Sequence, residues 1–148
     1  MASPKSAMDV QNFEYDWLGH DGNGCVALFS TAGYGYPPED FLRDTDAHHD
    51  AIQALLASDA TTEAVLFPDL LPKLENTWRL VAERGLYAYD SDQWGRYVLV
   101  AVPSLPTGIN ALPSPVTAVS IRCGFAFVNT RAVTEAMLRA EVRVPPRR

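Results

Sequence analysis

Apolar and polar positions along this chain change rhythm several times, and each change predicts an element. Phe13–Leu18 (FEYDWL) reads as a strand, and His20–Gly24 (HDGNG) is a run of turn formers. Cys25–Thr31 (CVALFST) reads as the return strand of a hairpin with a loop of about five residues. The period then lengthens. Phe41, Thr45, His48, Ile52 and Leu55 recur at helical spacing, predicting one helix over Pro37–Ser58. Pro38 suits its first turn, and Glu39 and Asp40 complement the positive end of the helix dipole. After a break at Ser58–Thr62 come a short apolar run, Ala64–Phe67, and a second helix over Leu70–Arg84, stopped by Gly85.

The second half carries more strand signal. Leu86–Tyr89 and Arg96–Val102 flank the turn Asp90–Gly95 (DSDQWG), predicting another hairpin. Pro103–Pro115 holds four prolines and reads as a stiff loop. Val116–Val128 reads as a long strand with a bend at Gly124, and Asn129 or Thr130 is positioned to cap a last helix reaching Val142. The expected fold is α+β: a single domain over residues 12–148, with a mostly antiparallel sheet and two or three helices packed on one face. Met1–Gln11 reads as a flexible leader.

Composition narrows the class. The 148 residues are 47% hydrophobic and 20% charged, which is globular and long enough for one ordinary core. No apolar run reaches the roughly 18 residues of a membrane span, and the first residues lack a signal-peptide core, so a cytoplasmic protein without membrane association is expected. Cys25 and Cys123 form no disulfide framework and read as two buried free thiols. The net charge of −6 is unevenly spread. Residues 1–72 hold twelve acids against Lys5 and Arg43, whereas residues 73–148 hold six acids against ten bases. An acidic half repels a nucleic-acid backbone, so nucleic-acid binding is not expected. It suits a basic protein partner, or is solvated surface alone.

The segment FSTAGYGYPPEDF, Phe29–Phe41, has the strand–glycine loop–helix layout of a phosphate site. However, Pro38 stands where a third glycine belongs, Pro37 and Pro38 lack N–H donors, and Glu39 and Asp40 bring negative charge to the helix start. A nucleotide site is not expected there. Asp46, His49 and Asp50 share a helical face, but a metal needs a further ligand, and the only histidine outside that helix is His20. The Asp21–Gly24 turn lacks the later oxygens of a calcium loop. Ser30 has no nucleophile-elbow context and Cys25 has no basic neighbour. No cofactor, metal or catalytic residue is therefore expected.

What the Phe29–Phe41 segment does offer is Tyr34 and Tyr36 beside an acid-rich helix start. Tyrosine gives large contact area at low entropy cost, so these two residues either anchor a partner or pack on the domain's own core. The segment Phe13–Leu42 also carries Asp16, Trp17, Asp21, Gly24, Val26, Ala27, Phe29, Thr31, Ala32, Gly33, Gly35 and Pro38. In that order they resemble the opening of small bacterial proteins of toxin-immunity, antitoxin-like gene neighbourhoods. The resemblance implies an immunity role: a non-enzymatic domain that masks a partner toxin. Candidate partner-binding residues are Tyr34 and Tyr36 as anchors and Glu39, Asp40 and Asp44 as the charges that steer a basic partner. The alternative is a small-ligand or enzymatic domain with a pocket between the sheet and the 103–115 loop.

Overall fold

The computed structural model describes residues 4–67 and 77–140. In chain order its elements are α1 (Ala7–Val10), β1 (Asp16–His20), β2 (Val26–Ser30), α2 (Glu39–Arg43), α3 (Thr45–Leu56), β3 (Ala64–Leu66) and α4 (Thr77–Ala82). There follow β4 (Tyr87–Ser91), β5 (Tyr97–Pro103), a 3₁₀ turn (Ile109–Ala111), α5 (Ser114–Val119) and β6 (Ile121–Arg122). A second 3₁₀ turn (Phe127–Asn129), β7 (Ala132–Val133) and α6 (Glu135–Arg139) complete the series. The fold is α+β, around one sheet ordered β3-β5-β4-β2-β1-β6, with β7 also paired to β5.

The two hairpins form where turn chemistry predicts them, joining β1 to β2 and β4 to β5. Between them the chain leaves the sheet at residue 31 and returns at residue 87, bringing β4 back parallel to β2. β6 is likewise parallel to β1. Among the described residues four of the six pairings are antiparallel, so the sheet is mixed rather than purely antiparallel.

Alternation along the strands sends successive side chains to opposite faces. Leu18, Leu28 and Ala88 lie on one face, in a core shared with Ile52 and Leu55 of α3, Val81 of α4 and Val116 of α5. Trp17, Phe29 and Tyr89 lie on the other, with Val10, Phe41 and Phe127. Helices therefore cover both faces, not one. On the second face the register Trp17↔Phe29↔Tyr89 produces a ladder of rings. Trp17 stacks on Phe29 at 4.1 Å, and Phe29 on Tyr89 at 4.9 Å. Tyr97 meets the first two edge-on and accepts the Trp17 indole N–H at 3.1 Å. All four rings are fully buried. Each contributes roughly 1.5–3 kcal/mol by leaving water, and each ring pair about 0.5–1.5 kcal/mol more.

Several expected elements differ. The predicted Pro37–Ser58 helix is two, because Asp44 adopts φ −156° and its carboxylate accepts the Ala47 N–H at 3.0 Å, capping α3. Its predicted inner face is correct nevertheless: Phe41, Thr45, His48, Ile52 and Leu55 are all buried. The expected strand Val116–Val128 is mostly helix and turn. Pro113 and Pro115 flank the first helical residue, where a missing N–H costs nothing, and Val116 and Val119, three apart, both join the core on the Leu18–Leu28 face. Only Ile121 and Arg122 remain as strand. The last helix is capped not by Asn129 or Thr130 but by Thr134, whose hydroxyl accepts the Met137 N–H. Residues 70–76 of the second predicted helix and the end of the last lie outside the described residues. In the expected leader, Ser6 and Asp9 form a capping box on α1, and Val10 is buried. Six α-helices are described rather than two or three, though only α3 exceeds two turns.

Candidate functional site

The residues that carry the sequence resemblance prove to be builders of the β1–β2 hairpin, Asp21 at its turn and Asp16, Thr31 and Gly33 at its open end. Asp21, buried in the first hairpin turn, accepts N–H groups from Asn23, Cys25 and, across the fold, Phe127 at 2.9–3.0 Å. Asp16 accepts the Ser30 hydroxyl at 2.7 Å across the β1–β2 pair. Buried Thr31 accepts the Tyr15 N–H and donates to the Phe13 carbonyl, tying the β2 exit to the segment before β1. Gly33, at φ +87°, comes so close to Asn12 that a β-carbon would lie 3.1 Å from its Cα. The Asn12 N–H donates to the Gly33 carbonyl at 3.0 Å.

This loop is poorly equipped for phosphate. The N–H groups of Tyr34 and Gly35 both donate to the Thr31 carbonyl, and Pro37 and Pro38 have none. Its outward feature is aromatic. Tyr34 is 60% exposed, and the backbone of Gly95, at φ +85°, passes so near that a β-carbon there would lie 2.9 Å from the Tyr34 carbonyl. Phe13 is 62% exposed on the segment joined to Gly33, and Trp94 is 79% exposed beside Gly95. Three loops, at the start of β1, the end of β2 and the turn from β4 to β5, thus each present one ring to solvent at the same end of the sheet.

The other candidates divide among different tasks. Tyr36 is half-buried: its carbonyl accepts the Tyr97 hydroxyl at 2.8 Å, and the Arg139 guanidinium lies over its ring at 5.0 Å. Glu39 and Asp40 are exposed on the first turn of α2, where Asp40 pairs with Arg43. Tyr36, Glu39 and Asp40 line a groove of about 510 Å³ that also takes in Arg43, Arg122, Phe125, Met137 and Leu138. Asp44, half-buried, is engaged as the α3 cap and lines a neighbouring groove with His20 and His48. The structure therefore separates Tyr34 from the other four. It surrounds the expected acidic patch with arginine. Phe13 and Trp94 were missed because Phe13 reads as strand and Trp94 lies in a turn read only as a hairpin connection. The available signal was a large apolar ring inside the polar turn DSDQWG, which has no core to enter.

Titratable groups elsewhere answer to burial. His48 is buried on α3, and its Nδ1 accepts the Leu18 N–H at 3.0 Å; desolvation pulls its pKa down to about 4, against the pull of Asp44 and Asp40. On the Leu18–Leu28 face, register aligns Asp16, Ser30 and Asp90 across three strands, with the Trp78 indole donating to Ser30 at 3.1 Å. Burial raises Asp16, partly offset by the Ser30 bond. Burial, with the charges of Glu14 and Asp16, raises Asp90 to about 6. Asp46, His49 and Asp50 are exposed on α3, and among the described residues no group of three or more His, Cys, Asp or Glu is placed to hold a metal. Nor is any helix among them long and apolar enough to cross a membrane. The 103–115 segment lies down on its neighbours, with Thr107 donating to Gly85 and Ile109 to Gly24. No family model, curated protein or solved structure matches the chain.

Proposed function

We propose that this domain is a non-enzymatic protein-binding module of the immunity type, acting in the cytoplasm by covering the active surface of a basic partner, a toxin domain. The observation that carries this reading is the trio of exposed rings, Phe13, Tyr34 and Trp94, on adjoining loops braced from behind by backbone and Thr31 hydrogen bonds. Exposed aromatics on a rigid base supply contact area at little entropic cost, as hot-spot residues do. Among the described residues, the exposed carboxylates Glu14, Glu39, Asp46 and Asp50 have no ion pair within the fold. Together with a net charge of −6, they favour encounter with a cationic surface.

The test is surface-immobilised binding kinetics against the product of the adjacent gene, at low and high salt. Tyr34→Ala and Trp94→Ala should speed dissociation, tenfold for each 1.4 kcal/mol lost. Charge reversal at Glu14 and Glu39 should slow association and flatten its salt dependence, because exposed charges act over about 8 Å at physiological salt. Asp44 is left out because its carboxylate caps α3. Unchanged rates in all the folded variants would remove this surface from consideration, and failure of the adjacent product to bind would remove the immunity reading.

A further inference from the structure

The outer edge of β6 borders the groove beneath Tyr36. Gly19 and His20 of β1 stand opposite Ile121 and Arg122, and Cys123 donates its N–H to the His20 carbonyl at 2.7 Å. Backbone groups alternate in direction along an extended chain, so the N–H and C=O of Arg122 turn away from β1. β6 ends the sheet, and among the described residues no strand pairs with that side. Residues 121–125 all line the groove, the chain bending at Gly124 and Phe125 beyond the two residues of β6.

The walls of the groove complement that edge. Phe125, Met137 and Leu138 are half-buried apolar side chains packed against the ring-bearing core. Arg43 and Arg139 are each held by a carboxylate on their own helix, Asp40 and Glu135. Arg122 is exposed and has no ion pair among the described residues. Glu39 also lies in the groove, at the first turn of α2, so the position for an anion is the Arg122 side. We propose that β6 accepts a strand: a short extended peptide segment that pairs through its backbone with the outward N–H and C=O of Arg122. Its apolar side chains would face Phe125, Met137 and Leu138, with an acidic side chain beside Arg122. Main-chain pairing would supply affinity and alternate side chains specificity, as in other strand-addition complexes. The brevity of β6 and the charge on Arg122 also protect the edge from indiscriminate pairing. This site is separate from the Phe13–Tyr34–Trp94 surface and does not depend on its role.

A phage-displayed library of random linear 12-residue peptides, panned on the whole protein, provides the test. The expected result is enrichment of peptides alternating apolar and acidic residues. Their binding should fall at least tenfold with Arg122→Glu, and likewise when alternate peptide nitrogens are methylated. It should be unchanged with Trp94→Ala, which targets the other surface. Arg122 is exposed, so its variant should keep the thermal midpoint of the parent, which circular dichroism checks. Absence of enrichment would overturn the proposal. So would enrichment of basic sequences, binding indifferent to Arg122 or to methylation, or displacement by a second copy of the chain rather than by peptide.

Discussion

His48 shows how a single imidazole ties a helix to a strand. It takes the Leu18 N–H just where β6, paired only to Gly19 and His20, no longer covers the edge of β1. The bond requires an unprotonated Nδ1. The folded pKa, about 4, lies below the ordinary value, so the unfolded chain binds the extra proton first as pH falls. Stability is therefore full above about pH 6.5 and drains away toward pH 4, by roughly 3 kcal/mol if the whole shift is realised. Asp90 works in the opposite direction. Raised to about 6, it is more comfortable protonated in the fold, so its contribution improves as pH falls from about 6 toward 4. Asp90→Asn should raise the thermal midpoint at pH 7 and have little effect at pH 4. His48→Ala, though less stable at pH 7, should lose less on acidification than the parent. Calorimetry between pH 4 and 7 checks both, and parallel pH profiles for parent and His48→Ala would refute the imidazole account. The thiols are expected to differ. Buried Cys123, pushed up to about 12, should resist labelling until the chain unfolds, whereas half-buried Cys25 should react slowly in the native state. Equal, rapid labelling of both would contradict this placement.

At the level of elements, Asp21 and Asp44 are the acids on which the architecture turns. Asp44 ends α2 and starts α3, and Asp44→Ala should cost about 1 kcal/mol, the usual worth of an N-cap. Asp21 joins the first hairpin to the 3₁₀ turn at Phe127, elements more than a hundred residues apart in sequence. Removing a carboxylate that accepts three N–H bonds leaves the buried Phe127 donor and two partly buried ones without it, so Asp21→Ala should cost more than Asp44→Ala, about 3 kcal/mol. Urea unfolding of the two variants ranks them, and a cheaper Asp21→Ala would show that water replaces the carboxylate. These roles also mark the limit of what the sequence displayed. Both hairpins were legible because their turns and alternation are local, as was the buried stripe Phe41–Leu55. The break at Asp44 was not, since the apolar rhythm runs straight through it. The run VTAVSIRC satisfies a strand and a helix alike, and the choice was made by prolines at its start and by packing against α3. Parallel pairing of β2 with β4 has no local signature at all. As for the candidate site, Tyr34 was visible in its loop. Phe13 and Trp94 joined it only through tertiary contacts at Gly33 and Gly95.

Over the whole molecule, the acidic first half and the basic second half do not remain apart. The fold draws Arg43, Arg122 and Arg139 around Glu39 and Asp40, so the charge asymmetry visible along the chain is largely cancelled at that groove. It persists on Asp46 and Asp50 of α3. The salt sensitivity proposed for partner association therefore belongs to Glu14, Glu39 and the α3 surface more than to Asp40, and reversal of Asp40 alone should change association rates least. The placement of the three tryptophans has a consequence of another kind. Trp17 is sealed within the ring ladder and hydrogen-bonded to Tyr97, Trp78 is half-buried over Ser30, and Trp94 stands in water. One chain thus contains fluorophores in three different surroundings. Collisional quenchers such as iodide should extinguish Trp94 first, leaving a bluer emission from Trp17 fed by excitation of the neighbouring tyrosines. A change in the quenchable fraction would then report events at the loop end, and a change in the shielded fraction the melting of the core. Binding and unfolding become separable by colour without attaching any dye.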